Sequence, residues 1–168
     1  MQRLEFKSNF NVGDAGEISG IAWPYDGTPD RMGDIVQKGA FTFPATLPLL
    51  FSHDPDDVVG VWDSIEETGA GLQVKGRLLI NDVARAREVR ALVQAKAITG
   101  LSIGYSVKQA TSRKGGGRTI KSLELIEISL VAVPMHPRAR VTSAKSASEL
   151  LAIAEAINRA ALAFKESA

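Results

Sequence analysis

Cysteine is absent from the 168 residues, which excludes disulfide frameworks, thiol nucleophiles and Cys-ligated zinc. Histidine is nearly absent: only His53 and His136 occur, so a His-rich metal site is not expected, and nothing calls for a cofactor. No apolar run approaches the length of a membrane span, and the opening Met1-Gln2-Arg3-Leu4-Glu5-Phe6 lacks the apolar core of a signal peptide. The expectation is a chain with no membrane partner, made and used inside a cell. Charge of one sign is also lacking, since 20 Lys+Arg oppose 19 Asp+Glu for a net of +1. That balance gives no reason to expect nucleic acid as a partner. What is present is ordinary globular composition, 45% hydrophobic and 23% charged, in a length that suits one domain with a real core.

Apolar residues fall in short runs separated by Gly, Pro and Asp, which favours many strands. Leu4–Lys7 alternates as a first strand, and Glu17–Trp23 alternates until Pro24 stops it. A breaker-rich loop, Asp26–Asp34, precedes Ile35-Val36. Leu47–Ser52 reads as a compact strand entering a turn at His53-Asp54-Pro55-Asp56-Asp57. Val58–Trp62 and Gly71–Leu78 read as strands paired around Thr68-Gly69. Frequent strands with short turns suggest a small barrel or sandwich. Two segments have helical spacing instead: one capped by Asn81, carrying Val83, Ala86, Val89, Leu92 and Val93 and ending near Gly100, and one from about Ser146 to Lys165. Gly115-Gly116-Gly117, flanked by Arg113, Lys114 and Arg118, reads as a solvated turn between strands rather than a nucleic-acid contact.

Three positions carry possible chemistry. His53 ends a strand before an acidic turn, and a pairing with Asp54 or Asp56 would account for it. In Gly100–Val107, Leu101, Ile103, Tyr105 and Val107 share one face while Gly100, Ser102, Gly104 and Ser106 share the other. A strand face of only Gly and Ser leaves room for a ligand, or equally for tight packing of a neighbouring element. Glu127 sits in the middle of Leu123–Val133, a run apolar enough to be a central strand, where an unpaired carboxylate would be costly. A buried histidine would be one partner for it; Arg138 or Arg140 would be another. Serine, histidine and a carboxylate are the components of a nucleophile, its base and the group that orients the base. Spacing alone does not bring the three together.

Leu50-Phe51-Ser52-His53-Asp54 with Val59-Gly60, then Gly100-Leu101-Ser102-Ile103-Gly104-Tyr105, then Leu125–Val131 and Pro134 resemble the tailed-phage prohead protease family. Gly16–Ala22, Gly33–Val36 and Gly39-Ala40-Phe41 are similar to that family's N-terminal pattern, and the blocks keep their order over roughly residues 1 to 140. The resemblance implies a capsid maturation serine endopeptidase related to the herpesvirus assemblins. It would have an α+β, mainly β fold, a small assemblin-like β-barrel with surrounding helices. It implies Ser102 as nucleophile, His53 as general base and Glu127 as the third member, with no metal and no cofactor. His136, set between Pro134 and Pro137 in what reads as an exposed loop, is the rival third member. The segment from Pro137 to Arg140, with Arg138 and Arg140, would supply the oxyanion donors.

The implied substrates are the major capsid protein, scaffold segments and the protease itself. The implied location is inside the procapsid in the host bacterial cytoplasm, with self-association expected; gene-transfer agents carry similar proteases. The catalytic domain is expected over residues 1–141 and a linker with a C-terminal helix over 142–168. A reading from another class is a non-catalytic capsid-assembly or scaffold module on the same fold.

Overall fold

The computed structural model describes residues 15–143; the expected strand at Leu4–Lys7 and the helix from Ser146 to Lys165 lie outside the described residues. Among the described residues, nine strands and one helix follow in the order β1 (Glu17–Pro24), β2 (Ile35–Val36), β3 (Phe41–Thr42), β4 (Leu47–Phe51), β5 (Asp54–Glu67), β6 (Gly71–Leu78), α1 (Ala84–Gln94), β7 (Gly100–Ser112), β8 (Arg118–Val131) and β9 (Arg140–Ser143). Seven of the strands close on themselves: β8 pairs β4, the sheet continues through β5, β6, β1 and β9 to β7, and β7 pairs β8. Closure removes free edges along the ring, so a chain this rich in strands needs no second sheet to cover it. β2 and β3 add to β8 in parallel along its first half. The fold is mainly β, as expected, and among the described residues one helix accompanies the barrel.

The barrel is filled by the inward faces of its strands. Trp62, Leu49, Leu72, Leu101, Ile128 and Leu130 are fully enclosed, and Trp62 Nε1 donates to the Ile128 carbonyl at 3.0 Å, which satisfies the one polar atom the indole brings inside. α1 packs Ala86, Val89 and Val93 against this core. Its Arg85 reaches outward to Asp57 at 3.0 Å and lies 4.7 Å over the Phe51 ring, so the helix braces the β4–β5 hairpin near its tip.

Four local expectations are corrected. Asn81 does not cap α1: Asp82 and Val83 both donate to the Leu79 carbonyl in a tight turn, and the helix begins after Val83 with no side-chain cap. It stops at Gln94 rather than near Gly100, because Lys96 takes a positive φ of 60° and turns the chain so that Ile98 re-enters the core. The turn expected from His53 to Asp57 is also displaced. It consists of Ser52 and His53 alone, with φ of 55° and 63°, and Asp54 already opens β5 opposite Phe51. Two non-glycine residues in the left-handed region cost about 1–2 kcal/mol each, so contacts from elsewhere must hold this hairpin. Thr142 and Ser143, read as the start of a polar link, belong to β9.

Candidate active site

β8 carries the first half of the explanation. Gly104 pairs with Glu127, but the next residue, Tyr105, pairs with Leu125. Ile126 is the extra residue of a bulge and is 56% exposed. Before the bulge Leu123 and Leu125 point into the core; after it Ile128 and Leu130 do. The one-residue insertion reverses the alternation, so Glu127 is turned off the core face that its spacing from Leu125 would otherwise give it. It emerges on the opposite face with Ser129. Directly across on β7 stand Gly104 and Ser102, in register with Glu127 and Ser129 respectively.

The Gly/Ser face of β7 is therefore occupied at one position and open at another. A Cβ on Gly104 would collide with Glu127 Oε1, so glycine there is what admits the carboxylate. Ser102, 4% exposed, lies beyond it and lines a cleft of about 420 Å³ together with His53. The other walls include Ile103, Tyr105, Met32, Met135 and the Asp34–Arg118 ion pair, whose closest approach is 2.5 Å.

His53 reaches this place from the hairpin. Its Nδ1 lies 2.6 Å from Glu127 Oε1, which leaves Nε2 as the nitrogen available to the cleft. The contact with Glu127 raises the His53 pKa above the ordinary histidine value, partly opposed by desolvation. The ring is still 43% exposed. Among the described residues Ser102 does not hydrogen-bond to His53; such a bond is commonly loose until a substrate is seated. Glu127 Oε2 receives the Ser129 hydroxyl at 2.6 Å, and the same Ser129 oxygen accepts the His53 backbone N–H at 3.0 Å.

The three sequence candidates thus share one site, and the alternative partners of Glu127 do not. Arg138 binds Asp26 at 2.8 Å and Arg140 donates to the Ala139 carbonyl at 2.8 Å. Neither arginine lines the cleft. Around them Pro137 has no N–H, Arg138 N–H goes to His136 Nδ1 at 3.2 Å and Ala139 N–H to the His136 carbonyl at 3.0 Å.

His136 is not an exposed loop histidine. It is 2% exposed, its Nε2 lies 2.9 Å from the Thr28 carbonyl, and its ring meets Trp23 edge-on at 4.9 Å. With Nδ1 accepting and Nε2 donating to backbone, both of its ring nitrogens are used within the fold. Asp54 Oδ1 accepts the Asp56 backbone N–H at 2.9 Å, and the His53 ring pairs with Glu127 instead.

Sequence reasoning missed the bulge at Ile126, the part played by Ser129 and the cleft walls from Asp30–Asp34, Arg118 and Met135. One signal was available: Glu127 and Ser129 are two apart on a strand and so share a face. Among the described residues no group of His, Asp and Glu is arranged to hold a metal ion, and no helix is long and apolar enough to cross a membrane.

Comparison with known proteins agrees with the geometry. The Caudovirus prohead serine protease family matches residues 2–152. The chain is 30% identical over 154 residues to a prohead protease of Enterobacteria phage HK97, covering 87% of this chain and 68% of that protein. It is also 30% identical over 135 residues to a capsid polyprotein of Pseudomonas phage PAJU2, covering 77% of this chain but only 20% of that much longer protein.

Proposed function

Because the chain belongs to the caudovirus prohead serine protease family, we propose that it is a capsid maturation endopeptidase in which Ser102, His53 and Glu127 form the catalytic triad. The observation that carries this reading is the 2.6 Å contact between His53 Nδ1 and Glu127 Oε1 on the rim of a cleft that Ser102 also lines. In the reaction His53 Nε2 takes the Ser102 proton as Oγ attacks the scissile carbonyl. Glu127 holds the ring in the Nδ1–H form and stabilises the imidazolium that results. His53 then returns the proton to the leaving amine, and a water activated by the same nitrogen releases the acyl-enzyme, restoring Ser102.

The substrates in this reading are capsid-protein and scaffold segments, and the protease itself, cleaved inside the procapsid in the host cytoplasm. Capsid and prohead proteins among the relatives support that setting. Kinship with the herpesvirus assemblins is supported by the closed, mainly β barrel and by a serine and a histidine at one cleft. The reading keeps residues 1–141 as the catalytic domain and 142–168 as a linker and C-terminal helix, with β9 carrying the barrel on to Ser143. Oxyanion donation by the Pro137–Arg140 segment would require N–H groups now bound to His136 to be released on substrate binding.

The decisive experiment is labelling by a fluorophosphonate serine probe in an assembling sample, with the modified residue mapped. Labelling confined to Ser102 is expected. No labelling in the assembled state would leave the non-catalytic assembly module as the function of this barrel.

A further inference from the structure

Ser129 is fully buried, belongs to no step of the proposed reaction, and yet touches both partners of the His–Glu pair. Its hydroxyl closes a ring: His53 N–H donates to Ser129 Oγ, Ser129 O–H donates to Glu127 Oε2, and Glu127 Oε1 pairs with His53 Nδ1. We propose that Ser129 is a positioning residue for catalysis, a clamp that grips the general base at its backbone and its side chain at once. The inference rests on the triad reading above and names a group that acts through it.

The physical need for such a clamp is visible in the hairpin. Ser52 and His53 both occupy the left-handed backbone region, which neither side chain favours. Two contacts from β8 hold them there, Leu130 O accepting Ser52 N–H and Ser129 Oγ accepting His53 N–H, each at 3.0 Å. Without the second, the hairpin tip carrying the imidazole would be free to relax away from Glu127. The hydroxyl also uses the carboxylate oxygen that His53 does not, which fixes the rotation of the carboxyl group and leaves Oε1 aimed at Nδ1. Because Ser129 stands opposite Ser102 in the β7–β8 register, the clamp ties base and nucleophile to adjacent points of one rigid sheet.

The ionisable groups around His53 are few. Glu127 faces it from β8, and Asp30, Asp34, Tyr105 and Arg118 share its cleft from the loop before β2, from β7 and from β8. Only Glu127 is a member of the ring. A change in His53 titration on altering Ser129 therefore reports on the ring itself.

The test is the rate of Ser102 labelling by a fluorophosphonate across pH, together with the imidazole titration of His53 by NMR, on the full chain. Ser129→Ala should slow labelling by ~10- to 100-fold, the loss expected for one hydrogen bond to a charged group. It should also move the acid limb and the His53 titration upward, because a carboxylate with one donor fewer holds the imidazolium more strongly. Ser129→Thr, which keeps the hydroxyl, should recover both. Ser129→Cys keeps the volume with a poor donor and should behave as Ser129→Ala does, should the latter fail to fold. A rate loss with an unmoved acid limb and an unmoved His53 titration overturns the proposal, as does an unchanged rate. Absence of Ser102 labelling in the unmutated chain in an assembling sample would instead refute the triad, and the His53 titration, which needs no turnover, would still decide the clamp.

Discussion

The two histidines sit in opposite kinds of surroundings, and the contrast explains which of them can do chemistry. His136 is enclosed against Trp23 with both ring nitrogens used by backbone groups, one accepting from Arg138 N–H and one donating to Thr28 C=O. It has no nitrogen left for a substrate. His53 stands at the tip of a strained hairpin, with one nitrogen held by a carboxylate and the other turned to a cleft. A base needs both features, a partner that stabilises its charged form and a free nitrogen, and only the second region provides them.

The largest expected effect comes from the nucleophile beside His53. Ser102→Ala should fold normally, since the side chain loses one oxygen, and should lose activity by on the order of 10⁵- to 10⁶-fold. Processing of capsid protein in an assembling procapsid, read on a gel, checks it, with Ser106→Ala as a control that retains processing. Normal processing by Ser102→Ala would end the serine protease reading.

Next in size is the carboxylate. Glu127→Gln should lower the rate about 10⁴-fold with the fold retained, because a neutral amide cannot stabilise imidazolium or fix the Nδ1–H tautomer. Rates of fluorophosphonate labelling give the ratio. A loss smaller than that of His136→Ala would reverse the contrast between the two regions.

The pH dependence is smaller and carries a sign that separates activity from stability. Activity should rise as pH rises through the elevated His53 pKa, falling about tenfold per pH unit below it. The same elevation works the other way on folding. Its stabilising contribution is fully present below the unfolded histidine pKa and is lost as pH rises through the folded value. A pH–rate profile with its acid limb above the ordinary histidine range, alongside a pH series of denaturant midpoints, checks both signs. Glu127→Gln should bring the His53 titration back down and remove the pH-linked gain in stability.

The smallest catalytic effect belongs to His136. His136→Ala should change the labelling rate only severalfold while costing roughly 2–4 kcal/mol of stability through a buried cavity and two lost hydrogen bonds. Urea unfolding against the unmutated chain measures the cost. An unchanged midpoint with a collapsed rate would make His136 part of the machinery.

Much of this was legible in one dimension. The alternation in β1, β5, β6 and β7 marked strands because a half-buried pleat repeats every two residues. Glu127 stood out because a carboxylate inside an apolar run must find a partner, whereas Glu124, on the exposed side of the same strand, pairs with Lys108 at 2.8 Å. The two arginines offered as alternatives were consistent with the same reasoning, and only folded geometry sends them to Asp26 and to Ala139 O. In one dimension Ser129 is an unremarkable serine beside the nucleophile candidate. The ring it closes with His53 and Glu127 exists only in the folded chain.

Local rules worked where the determining forces were local, in the pleat periodicity, the apolar face of α1 and the glycine turn between β7 and β8 at Gly115-Gly116-Gly117. They failed where a distant segment overrules local preference. The bulge that turns Glu127 out of the core exists because β7 and β8 must keep register on both sides of it. The left-handed tip at Ser52-His53 exists because Leu130 and Ser129, more than seventy residues along the chain, hold it in place. The order of amino acids sufficed to name serine, histidine and glutamate. Their meeting depends on closure of the barrel, which lays β4 and β7 on either side of β8 and sets Ser102 and the Glu127-paired His53 at one cleft.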